Sequence, residues 1–250
     1  MNQNVDLNAK VTKLYGYVKR ARKCYIYTEK GVRLTDMHLQ GGRAILGWGE
    51  GGARSQLKDS LAQNHSGMLP GRHRNRLNRV LKELFPAFEH FACFFDYQSA
   101  ELFLEKIGIE TFSVIFPLHS GDCENSSAAI IIPPFPFGEI TIVAFNSENP
   151  IPVECNVPGA ILAAVTKAFY DSKSEKFQPT EEALRKFDDK IGRFWTRDKM
   201  LLFPKISEKD YPDFFSECLH RKILISPCFS APSFLPHWAN SGDLKGLLEI

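Results

Sequence analysis

No Cys-x-x-Cys pair occurs among the six cysteines of this 250-residue chain, which are scattered along it. A zinc site and a disulfide framework are both disfavoured, and the expectation is a reduced, metal-free protein. Long apolar runs are also missing, including the apolar core a signal peptide needs at the N-terminus, so we expect a cytoplasmic protein without a membrane span. Excess charge is absent too, with a formal net charge of only +2. A nucleic-acid footprint therefore has no support from composition, and the one basic cluster, Arg72 to Arg79 with Lys82, reads as a solvated helix face. Internal repeats and low-complexity tracts are lacking as well.

What is present is the composition of a globular chain, 44% hydrophobic and 24% charged, enough to bury a core. An amphipathic helix is expected over 6–22. CYIYTEKGVRLTD (24–36) alternates about a Glu-Lys-Gly turn and reads as a β-hairpin. Glycines from Gly41 to Gly52 then open a helix over 53–63. The stretch has the look of a phosphate cradle, but it lacks a Gly-Lys-Ser/Thr ending and carries Glu50 where an anion would sit, so a turn requiring positive φ angles is the preferred reading. RHRNRLNRVLKELF places Leu77, Leu81 and Leu84 on one helical face. A short strand at 93–95 leads to a helix in SAELFLEKI. The runs at 112–116, 128–135 and 139–145 are apolar at nearly every position, as in strands covered on both faces. Pro158-Gly159 opens a helix of small residues. Beyond about 171, charged helices at 180–194 and 208–221 alternate with MLLFP and ILISP, a small α/β pattern.

The order of these pieces resembles the class III aminotransferases and glutamate-1-semialdehyde aminomutase, fold type I pyridoxal-phosphate enzymes. Four stretches carry the resemblance: Tyr25–Asp36 as the hairpin before the large domain; Gly41 to Gly49 as the loop ahead of a helix; Phe94 to Glu101 where the family has its Ser-Gly-Ser-Glu-Ala phosphate loop; and Ile223–Pro227 with Ser241–Leu244 as the end of the C-terminal domain. The resemblance implies an α/β fold, a reduced fold type I large domain over 41–172, preceded by a helix and hairpin over 1–40 and followed by a small α/β domain over 173–250. It implies a homodimer with the glycine loop near its interface, where Trp48 would seek burial. A full-length aminotransferase relative is a second candidate partner.

Set against that family, the chemistry is incomplete. A transaminase needs a lysine to hold the cofactor, an acid at the pyridine nitrogen and a donor-rich phosphate loop. No lysine lies between Ile107 and Thr166, and no aspartate between Cys123 and Tyr170; only Glu124, Glu139, Glu148 and Glu154 remain there. Proline stands at the acid's position in AAIIIPPFPFGE, and leucine replaces the stacking aromatic in Leu118-His119-Ser120-Gly121. Tyr97, Gln98, Ser99 and His119 are thus vestigial cofactor-binding candidates. No catalytic residue is assigned and no cofactor is expected, pyridoxal phosphate being the alternative. The nearest replacement lysine is Lys167. The expected role is binding or assembly by a degenerate relative, with a pyridoxal-phosphate enzyme using a noncanonical site as the rival. A Cys123/His119 nucleophile beside Asp122 ranks third. His73, His90 and His220 read as surface or capping groups, and His237 has no acidic companion nearby.

Overall fold

The computed structural model describes residues 3–63, 71–118, 126–147 and 157–250. The chain divides into two compact units, Gly51–Gln178 and a second made of Met1–Glu50 with Pro179–Ile250. The sequence reading divided the chain at 40/41 and 172/173. The N- and C-terminal segments instead fall in one unit.

In order, the elements are α1 (Gln3–Tyr15), β1 (Val18–Arg22), β2 (Tyr25–Thr28), β3 (Arg33–Asp36), α2 (Ala53–Ala62), α3 (Arg72–Leu84), β4 (His90–Phe94), α4 (Tyr97–Lys106), β5 (Ser113–Ile115), β6 (Ala128–Ile131), β7 (Thr141–Phe145), α5 (Gly159–Ser172), α6 (Glu181–Arg185), α7 (Asp188–Ile191), β8 (Trp195–Asp198), β9 (Leu201–Pro204), α8 (Tyr211–His220), β10 (Ile223–Leu224) and β11 (Ser233–Phe234).

The 51–178 unit is a three-layer sandwich built on a sheet of order β4-β7-β6-β5, with β5 parallel to β6 and the other pairs antiparallel. All of β6 and β7 is buried, because successive side chains point to opposite faces and both faces are covered. Ala129, Ile131, Ile142 and Ala144 pack under α2, α3 and α5, while Ala128, Ile130, Val143 and Phe145 pack under α4. The three apolar runs thus form the expected central sheet, with β5 at its edge and Val114 exposed. On α3, Leu77, Val80 and Leu81 are buried.

In the other unit the hairpin forms as read, and β3 continues into a parallel pairing with β10, giving the order β1-β2-β3-β10. A second sheet has the order β11-β9-β8. Two expectations need correction. The lead helix ends at Tyr15, where Gly16 adopts φ +76° and its N–H returns to the Thr12 carbonyl; residues 18–22 form an edge strand. That strand, VKRAR, is mostly exposed and shows no apolar alternation, so its sequence carries no strand signal. The helix expected over 180–194 is two short pieces broken where Phe187 turns into the core. No described helix is long and apolar enough to cross a membrane.

Candidate functional site

The position to test is the start of α4. Four amides at a helix N-terminus have no partner within the helix, and the helix dipole adds positive potential there, which is why such an end can hold a phosphate. Here Asp96 is the N-cap residue in extended backbone, and its Oδ1 accepts from the Ser99 N–H at 2.7 Å while Oδ2 accepts from the Ser99 hydroxyl at 2.9 Å. The helix end is closed by a carboxylate of its own chain. Of the residues expected to vestigially contact a cofactor, Ser99 turns its N–H and hydroxyl to Asp96. Gln98 is exposed. Tyr97 is half-buried, with its phenol pushed upward by burial and by the charge of Glu101. His119 and Cys123 lie outside the described residues. The residues present do not fit a phosphate at this end, because a dianion would meet the Asp96 charge.

Lys167, the nearest replacement lysine, sits on α5. Its Nζ is bonded to Asp171 one turn on, and Asp171 Oδ2 accepts the Gly52 N–H at 2.7 Å. One carboxylate therefore caps the start of α2 and pairs the amine. Gly51 and Gly52 have a direct reason to be glycine: a Cβ on Gly52 would lie 2.6 Å from Lys167 Cε, and one on Gly51, at φ +75°, 3.1 Å from Asp171 Oδ2.

Within the other unit, the rest of the glycine loop is organised by Asp36. This buried carboxylate accepts from the backbone N–H of His38 (3.0 Å) and Leu39 (2.8 Å) and from the Trp48 indole N–H (2.8 Å). Burial pushes its carboxyl up to about 6, against the three donors that pull it down. The Trp48 indole N–H bonds within its own chain, and its side chain is half-buried there. Gly47, at φ +97°, lies against Trp238, whose indole donates to the Leu46 carbonyl at 3.2 Å. The loop is a structural turn, as expected.

His73 requires a correction. Rather than standing at the surface it is buried, 8% exposed, on the α3 face that also buries Leu77, Val80 and Leu81. The i, i+4, i+7, i+8 spacing of these four was the available signal.

No family model matches this chain. An uncharacterized protein of Treponema pallidum (strain Nichols) is 26% identical over 281 residues, covering 91% of each chain. Among solved structures, an omega-transaminase from Sphaerobacter thermophilus superposes with a TM-score of 0.68 at 10% identity, over 98% of this chain and 95% of that one. The fold is that of the aminotransferases. A second neighbour, a transaminase with pyridoxal phosphate bound, gives a TM-score of 0.65 at 9% identity, over 99% of this chain and 98% of that one.

Proposed function

We propose that this chain keeps the aminotransferase fold for a binding or assembly role and does not carry out Schiff-base chemistry. The observation that carries the reading is the closed start of α4, where Asp96 takes the place an incoming phosphate would need. Two further features support it. The stretch from 108 to 166 contains no lysine, and Lys167 is engaged with Asp171 on a helix that covers the sheet rather than on a strand. Losing the amine removes nucleophilic and proton-transfer roles together, normally several orders of magnitude in rate.

The test is purified protein mixed with pyridoxal phosphate, followed by visible absorbance, borohydride reduction and peptide mass spectrometry. We expect no reducible band and no fully occupied phosphopyridoxyl lysine. Modification of Lys167, or of any single lysine at full occupancy, establishes the rival reading of a pyridoxal-phosphate enzyme with a noncanonical site, to which the cofactor-bound fold neighbour lends its support. The assembly part of the proposal is a homodimer. Phe95 and Leu102, exposed apolar side chains before and on α4, give it surface to use. Sedimentation at micromolar protein checks it, and a monomer alone removes it.

A further inference from the structure

Between α2, α3 and α5 of the 51–178 unit lies a cleft of about 230 Å³, lined chiefly by Gln56, His73, Arg76, Arg79, Lys167 and Tyr170. No carboxylate lines it. Arg76 and Arg79 stand one turn apart on α3, both exposed, and neither pairs with a carboxylate among the described residues. Like charges at this spacing repel each other and destabilise a helix. Some arginines elsewhere are compensated: Arg33 is bonded to Asp243, Arg197 to Asp188 and Glu181, and Arg221 to Glu217 and Glu249. Even in the cleft, the Lys167 amine is balanced by Asp171. Arg76 and Arg79 thus both line this cleft without an ion-pair partner among the described residues, although Arg79 also borders a second cleft with Glu83, whose carboxylate is bonded to Lys173.

The remaining lining is that of a site more than of a bare surface. The His73 ring, one turn before Arg76, is more than nine-tenths buried, and Tyr170 offers an aromatic side chain 42% exposed. Gln56 gives one amide N–H to Ser60 at 3.1 Å, which leaves its second N–H for another acceptor. The volume falls below the roughly 300–1,000 Å³ of sites for drug-sized ligands. Guanidinium forks match the oxygen geometry of carboxylates and phosphates alike. Two uncompensated charges distinguish the two, since they balance a dianion and exceed a single carboxylate.

We propose that this cleft binds a small phosphate monoester through Arg76 and Arg79. The inference is independent of the function proposed above, because it concerns a face of α3 and α5 and not the start of α4. Titration calorimetry on the full chain, with glycerol 3-phosphate, inorganic phosphate and glycerol as probes, tests it. Saturable one-site binding of both phosphates is expected, with none of glycerol. R76Q and R79Q should each weaken binding by about tenfold or more, the scale of a hydrogen bond to a charged group. R72Q, on the same helix but outside the cleft, should leave it unchanged. Affinity should also fall below about pH 6, as the dianionic monoester takes up a proton and becomes a monoanion. Absence of saturable phosphate binding overturns the proposal, as does an equal loss from R72Q and R76Q. Tighter, strongly salt-dependent binding of a single-stranded oligonucleotide through these arginines overturns it in favour of a nucleic-acid surface.

Discussion

In the 51–178 unit the two central strands, β6 and β7, bury nine side chains of which eight are apolar, and the helices on both faces add mostly more of the same, with Ser60, His73 and Thr166 as buried polar exceptions. In the other unit, the glycine loop after β3 is held by directional bonds: Asp36 to Trp48, His38 and Leu39, and the Trp238 indole to Leu46. Apolar burial scales with area and tolerates adjustment, whereas a buried carboxylate depends on each donor being in place. The first unit should therefore fail through lost volume and the second through lost partners and through pH.

The sharpest break in the first unit is Phe135→Ala. Phe135 is fully buried in the cluster beneath α2, α3 and α5, with its ring edge-on to Phe137 at 5.4 Å. Truncation removes transfer energy and leaves a cavity, at a cost of about 3–5 kcal/mol. A lowered urea midpoint with an unchanged pH profile is the expected result.

Asp36→Ala is the matching break in the second unit. Three donors lose their acceptor, for about 2–3 kcal/mol. The pH profile carries more information than the midpoint. With its carboxyl raised to about 6, Asp36 binds its proton more tightly in the folded chain, so its contribution is full below about pH 4 and is lost as pH rises through 6. Burial lowers His38 and His237 to about 4, with Lys186 adding to the effect at His237, so their contributions are full above about pH 6.5 and are lost as pH falls toward 4. The carboxyl and the histidines oppose each other across this window. Its removal should make thermal stability fall more steeply between pH 6.5 and 4 than in the parent, and an unaltered slope would count against this account of the loop.

Gly47→Ala probes the loop by shape. Its φ of +97° strains any side chain, and the added Cβ would stand 2.9 Å from Trp238 Nε1 and 3.0 Å from Glu50 Cγ. We expect a loss of about 1–2 kcal/mol with a change in tryptophan fluorescence. Gly49→Ala supplies the contrast: its φ is +76°, but nothing lies within 4 Å of the new Cβ, so strain acts alone and the loss should be smaller.

The same contrast explains what could be read in advance. The sheet was legible because β6 and β7 are apolar at nearly every position, and α3 because its apolar residues recur at helical spacing. The loop was legible as a turn, but not what fastens it: Trp238 is nearly two hundred residues from Leu46, and no local pattern announces that Asp36 is buried. β1 was missed because an exposed basic edge strand has no buried face to alternate. At α4, an aspartate three residues before Ser99 is an N-cap signature. That local signal was sufficient to place the carboxylate on the helix end.

Asp96→Ala carries the smallest expected effect and bears most directly on function. Removing the cap leaves the Ser99 N–H and hydroxyl without their acceptor, at a cost of about 1 kcal/mol. If the helix end is an anion position held shut by its own side chain, the variant should regain part of that loss in phosphate buffer, because the ion can occupy the vacated acceptor position and gain from the dipole. The comparison belongs in an R76Q/R79Q background, so that phosphate in the α3–α5 cleft does not contribute. There the unmodified α4 should show no stabilisation by phosphate and the Asp96→Ala chain a measurable one. Equal responses in the two chains would mean that Asp96 is only a helix cap, and the argument that it takes the place of a phosphate would fall, leaving the lysine-free stretch and the engagement of Lys167 with Asp171 to support the proposed absence of Schiff-base chemistry.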